Sequence, residues 1–137
     1  MKTAPLFLAL LALLAGCTSL STRKAADLSR LKRFYVEQRL SDSHRLDEQI
    51  AAELRALGYD ATAGVLTMKP DGIDAIVSYE DRYAWDFKSY LIEMHLAIRD
   101  GHTDKLLAFG DYHQAKITTK SPAEVIHLIL FPLFKTK

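Results

Sequence analysis

Between residues 44 and 57, apolar side chains recur at the spacing of one helix face. Leu46, Ile50, Leu54 and Leu57 form the stripe, while Asp47, Glu48, Glu53 and Arg55 fall elsewhere on the wheel. Ser41, Asp42 and Ser43 precede it with oxygens suited to cap the first turn, and Gly58 stands where a left-handed C-terminal cap is common. The spacing predicts an amphipathic helix over 44–57 lying on something flat. Further along, the period changes to two. Tyr90, Ile92, Met94, Leu96 and Ile98 alternate with Leu91, Glu93, His95, Ala97 and Arg99. That alternation predicts a strand half-buried in an antiparallel sheet, with Met94 and Leu96 inward and Glu93 and His95 outward.

Shorter apolar runs fill in the sheet. Phe34-Tyr35-Val36 predicts a first strand, Gly64-Val65-Leu66-Thr67 a short one, and Ile73 to Tyr79 another that continues through Arg82-Tyr83-Ala84-Trp85-Asp86. Pro70-Asp71-Gly72 is a turn by composition. Asp100-Gly101-His102-Thr103-Asp104 predicts a hairpin connection to a return strand over 106–117, in which Ala108 and Gly110 are small enough to lie under a helix. Ser121-Pro122-Ala123-Glu124 has the form of a capping box with proline at the first helical position. The helix it opens runs to about Phe131, where Pro132 ends or kinks it. Strand, helix, strands, hairpin and helix in that order predict an α+β fold: a mainly antiparallel sheet of about four to five strands with two helices packed on one face.

The first residues have a different texture. Lys2 precedes an apolar run from Leu6 to Leu14 that is too short to stay in a bilayer as a spanning helix and is closed by small residues. Residues 1–16 therefore read as a cleavable signal peptide. Leu14-Ala15-Gly16-Cys17 resembles the bacterial lipobox. The resemblance implies cleavage before Cys17, a diacylglycerol on its sulfur and an acyl chain on the new amine. One acyl chain anchors marginally and two or more anchor stably. Cys17 is the only cysteine, so the domain has no disulfide, and lipid would consume a thiol that is otherwise out of place in an oxidising compartment. Thr18 follows it. In Gram-negative lipoproteins an aspartate there keeps the protein in the inner membrane, so the resemblance implies the outer membrane, facing the periplasm. Residues 17–31 are small, polar and basic, predicting a lipidated cysteine on a flexible tether. Residues 32–137 then form one α+β domain.

Charge removes some functions. The leader carries one charged side chain, Lys2, and without it basic and acidic residues are equal in number. A balanced domain has no electrostatic reason to bind nucleic acid. Beyond the leader no stretch is long enough to cross a membrane.

Candidate chemistry is sparse. There is no Gly-x-Ser-x-Gly, no His-Glu-x-x-His and no phosphate-cradling glycine loop, and no thiol remains once Cys17 is lipidated. No cofactor is called for. If Ile98 faces Leu106 across the hairpin, Glu93 faces Asp111, with His95 and His113 beside them. Two carboxylates and two imidazoles are a donor set for a divalent metal, although an ordinary polar sheet face has the same composition. Asp100, His102 and Asp104 at the loop tip are better explained as a polar turn. Trp85-Asp86 after Tyr83 reads either as an aromatic shelf or as edge packing. Val125, Ile126, Leu128, Ile129, Leu130 and Phe131 occupy more than one helix stripe. Phe131, Leu133 and Phe134 are therefore candidates for a partner-binding patch, the alternative being packing against the first helix or under the tether.

Read together, several segments resemble a family: the lipobox, the Phe34-Tyr35-Val36 strand and the helix ending Ala52-Glu53-Leu54-Arg55-Ala56-Leu57-Gly58-Tyr59. Asp74-Ala75-Ile76-Val77-Ser78-Tyr79, Tyr83-Ala84-Trp85-Asp86 and Ile98-Arg99-Asp100 belong to the same pattern. It is similar to the small Gram-negative outer-membrane lipoproteins whose domain has no assigned function. The resemblance implies a compact α/β sandwich and leaves activity open. A looser likeness is to auxiliary lipoproteins of envelope transport systems. Three functions follow as expectations. The first is a non-enzymatic envelope lipoprotein that is structural or binds an envelope protein partner. The second is an accessory lipoprotein of a transport or export complex. The third is a metal-dependent or hydrolytic enzyme.

Overall fold

The computed structural model describes residues 18–115 and 120–135. The leader, Cys17 and the Ile117 end of the expected return strand lie outside the described residues. Six strands and two helices make up the rest: β1 (Thr18–Lys24), β2 (Arg33–Glu37), α1 (Leu46–Ala56), β3 (Asp60–Gly64), β4 (Ala75–Asp86), β5 (Lys88–Asp100), β6 (Leu106–Gln114) and α2 (Pro122–Phe134). They form one sheet in the order β1-β6-β5-β4-β2-β3. The α+β class is as expected, but the sheet is larger and mixed. β2 runs parallel to both β3 and β4, and the other pairings are antiparallel. Parallel neighbours need a crossover, and α1 supplies the one between β2 and β3.

One face of the sheet is apolar and covered by both helices. Phe34, Val36, Val77, Met94, Leu96, Ile98, Ala108 and Tyr112 from the strands meet Leu46, Ile50, Leu54, Val125, Ile126, Ile129 and Leu130 from the helices. Gly110 lies in this face, as its size suggested. A Cβ there would stand 2.3 Å from Ile129 Cγ2, so α2 seats on β6 only because the side chain is absent.

Capping explains where the helices begin and stop. Asp42 Oδ2 accepts from the amides of Leu46 (2.7 Å) and Asp47 (3.2 Å), and from Tyr79 Oη (2.6 Å), tying the start of α1 to β4. Gly58, at φ 97°, ends α1 in the left-handed conformation expected of it. At α2, Ser121 and Glu124 complete the capping box in both directions. Pro132 does not stop α2. The helix continues to Phe134, because proline removes one amide but Lys135 N still reaches Phe131 O at 2.9 Å.

Four expectations need correction. The tether predicted over 17–31 is, in its described part, the edge strand β1, paired with β6 from Thr18–Gln114 to Lys24–Ala108, and Leu28 beyond it is buried. Polar residues serve here because an edge strand is solvated on one side. The short strand expected at 64–67 lies earlier, over Asp60–Gly64, and Leu66–Met68 is a turn of 3-10 helix. The alternation of β5 breaks at Ile92. Tyr83 opposes Leu91 while Arg82 opposes Glu93, so Ile92 is an extra residue and the inward side changes from Met94 to Leu91. Across the β5–β6 hairpin, Ile98 opposes Ala108 rather than Leu106. Arg99 takes Leu106 and Leu107 is the extra residue.

The inward and outward positions of β5 lead to a direct test. Leu96→Ala should lower unfolding free energy in urea by roughly 2–5 kcal/mol, because it opens a cavity under α2. His95→Ala, on the opposite face, should cost less than about 1 kcal/mol.

Candidate functional site

The uncovered face of the sheet carries the polar residues of β4, β5 and β6. Glu93, His95, Asp111 and His113 are all there, and the observed register joins them in different pairs from those expected. Glu93 opposes His113 and His95 opposes Asp111. His113 Nδ1 lies 2.9 Å from Glu93 Oε1, and His95 Nδ1 lies 2.5 Å from Asp111 Oδ1. Arg82 reaches Glu93 from the next strand, with Nε donating to Oε2 at 2.8 Å and Nη2 donating to Oε1. The row is thus a ladder of Arg82, Glu93 and His113, with His95–Asp111 beside it. Among the described residues, no three His, Cys, Asp or Glu side chains come together as a metal would need. The guanidinium on Glu93 occupies both carboxylate oxygens that a cation would use.

The Arg82 hydrogen bonds hold the Glu93 carboxyl at about 2, well below the ordinary carboxylate range, and His113 adds to the effect. Further up the same face, Arg99 bridges Asp104 (2.7 Å) and Glu37 (3.2 Å). Between Ser78, Glu80, His95, Ala97, Phe109 and Asp111 lies a shallow depression of about 220 Å³. Each imidazole holds a carboxylate through Nδ1, which fixes the orientation of its ring on this open face.

The other predicted residues fall elsewhere. Asp100 is a turn residue whose Oδ1 accepts from the amides of His102 (2.8 Å) and Thr103 (2.9 Å). Those bonds lower its pKa and account for the Asp100–Asp104 cluster as loop structure. Tyr83 does not form a shelf with Trp85. Its ring stacks on His44 at 3.8 Å and is half-buried, whereas Trp85 is 75% exposed. Leu133 is core, and Phe134 packs edge-on against Phe34 at 5.5 Å and at a tilt against Tyr59 at 4.8 Å. Because α2 does not stop at Pro132, its last turn carries Leu133 and Phe134 inward. Of the three candidates for a partner patch, only Phe131 is exposed, and Lys135 Nζ lies over its ring.

Sequence reasoning missed Phe87. It is 96% exposed at the tip of the β4–β5 hairpin, between Asp86 and Lys88, with φ 59°. Non-glycine residues seldom adopt that conformation, and the segment contains none of the Asn-Gly or Gly-Gly signals by which a tight hairpin is recognised. The exposure of Trp85 was within reach, since a strand apolar on alternate residues ends at the charged Asp86.

Among the described residues no helix is long and apolar enough to cross a membrane. No family model matches the chain, and no curated protein matches it. Solved structures do share the fold. A PelC dodecamer from Paraburkholderia phytofirmans is similar over 88% of this chain and 100% of its own, with 15% identity and a TM-score of 0.65. A leucine-to-methionine variant of the same dodecamer aligns over 85% and 98%, again with 15% identity, at a TM-score of 0.64. A PDZ domain protein from Parabacteroides distasonis shares 13% identity over 91% of this chain and 38% of its own, with a TM-score of 0.51. At these identities the likeness is one of fold.

The ladder predicts a titration. Arg82→Met should move the Glu93 midpoint from about 2 up into the ordinary carboxylate range, read by NMR of its side-chain carboxyl carbon. Because the folded value is depressed, the stabilisation from this pair is present above the ordinary carboxylate pKa and is lost as pH falls toward 2. The variant should therefore differ from the parent near neutrality, with the difference closing in acid.

Proposed function

We propose that the protein is a lipid-anchored outer-membrane lipoprotein of the cell envelope, facing the periplasm. In this reading it works in several copies as an accessory subunit of an export complex, the setting for exopolysaccharide to which the PelC likeness points. The observation that carries the reading is the fold. It is similar over the whole length of a chain that assembles as a dodecamer. The Leu14-Ala15-Gly16-Cys17 motif supports the address, because it supplies a lipid and the domain needs one to stay at a membrane.

The role is non-enzymatic. The ionisable groups of the open face are tied to one another, Glu93 by Arg82 and His113, and Asp111 by His95. Such a face is suited to meeting another polar surface. In a ring of copies it would line a passage or an interface, where fixed charge steers a polar polymer or a partner without breaking a bond.

Two measurements test this reading. Cys17→Ser should abolish the acyl mass increment and either release the mature chain to the soluble fraction or leave an uncleaved precursor. Crosslinking of the lipidated chain in native membranes should give species well above a dimer. A mature, cleaved Cys17→Ser chain that stays membrane-bound as before would remove the anchor from the proposal. A chain that crosslinks only as a monomer would remove the assembly.

A further inference from the structure

The register shows which elements share an end of the sheet. Thr18 opposes Gln114, His113 opposes Glu93, and Glu93 opposes Arg82. The first residue of β1 is therefore level with the middle of the β4–β5 ribbon. Among the described strands, only β4 and β5 continue past that row. Their pairing runs through Tyr83–Leu91 and Trp85–Ser89 to Asp86–Lys88. At about 3.3 Å per residue, the tip at Phe87 stands about 15 Å beyond Thr18.

This projection is apolar where water is most abundant. Trp85 is 75% exposed and Phe87 96%. Phe87 also holds a left-handed backbone that costs a bulky residue energy and that glycine would adopt freely. Its side chain gives the fold nothing in return. Leu40, 99% exposed, lies at the same end, since β2 is parallel to β4 and the adjacent Arg39 pairs with Asp81 at 2.9 Å.

We infer that the β4–β5 tip is a membrane-docking element, with Trp85 and Phe87 entering the headgroup and upper acyl region of the leaflet that holds the lipid on Cys17. This rests on the lipid-anchor reading. Cys17 directly precedes Thr18, where β1 begins, so one residue, about 3.8 Å of chain, separates the anchor from the sheet. An anchor that short keeps this end of the sheet against the leaflet, and a tip that projects about 15 Å from the same end meets lipid. Tryptophan suits that depth, having an apolar ring with one polar N–H. Asp86 and Lys88, opposite each other in the last pair, remain among the headgroups. A second protein is a poorer occupant. A two-stranded tip offers far less than the roughly 800 Å² per partner of a stable interface, whereas two aromatics are enough to orient a domain that lipid already holds.

Trp85 is the only tryptophan, so its fluorescence reports the tip alone. The full lipidated chain is reconstituted in vesicles of phosphatidylethanolamine and phosphatidylglycerol, with brominated phospholipid as the membrane quencher and iodide as the aqueous one. The expected result is a blue-shifted emission, quenched several-fold by the brominated lipid and protected from iodide. Phe87→Asp should reduce the lipid quenching several-fold while leaving the thermal midpoint unchanged, since the side chain packs on nothing. Emission open to iodide and untouched by brominated lipid overturns the inference. Protection from both quenchers also overturns it and assigns the tip to a protein surface, another copy included. The intact mass of the same preparation reports whether Cys17 is acylated, so failure of the anchor and failure of the tip are read separately.

Discussion

The seating of α2 on β6 at Gly110 is the constraint on which the rest of the structure depends. Ile129 fills the space a Cβ would occupy, and this brings Val125, Ile126 and Leu130 down onto the strands within van der Waals reach. With α2 fixed there, α1 lies beside it over β2 and β3, and Asp42 joins its first turn to Tyr79 of β4. Burial pushes the Asp42 carboxyl up, but the Tyr79 hydroxyl and three backbone amides pull it down further, so it stays ionised as an acceptor. Burial and that carboxylate together raise the Tyr79 hydroxyl, which therefore remains a donor at any ordinary pH. An apolar face is thereby closed completely, and the charged residues are left to the other.

What could be read from the chain depended on how local the cause was. The capping box at Ser121–Glu124, the stop at Gly58 and the α1 stripe are decided within a few residues, and all three stand where expected. The gathering of Glu93, His95, Asp111 and His113 on one face was also legible, because alternation assigns faces. Their partners were not. Pairing depends on extra residues at Ile92 and Leu107, and an extra residue in a strand leaves no mark in composition. For Leu133 and Phe134 the packing alternative holds over the exposed patch, because tertiary packing carries the helix through Pro132. β1 was missed for a related reason. An edge strand solvated along one side has the composition of a tether, and only the distant β6 makes it a strand.

The two faces and the two ends of the sheet thus have separate duties. The helix face supplies stability. The open face presents Arg82, Glu93 and His113 as a ladder beside the His95–Asp111 pair, around a shallow depression. The end of the sheet bearing Thr18 also bears the exposed β4–β5 tip, and the opposite end carries the β5–β6 turn.

The pairing of β1 with β6 also carries a schedule. Thr18 and Gln114 are 96 positions apart, and the strand that closes the sheet edge is the first part of the described chain to be synthesised. It cannot dock until almost everything else has been delivered, and closing so long a loop is among the slowest steps open to a chain of this size. The β4–β5 hairpin and the α1 crossover between β2 and β3 are closed by local contacts, whereas β1 and α2 both need β6 to be in place. Until β6 is present, the backbone amides and carbonyls of Thr18–Lys24 have no partner strand.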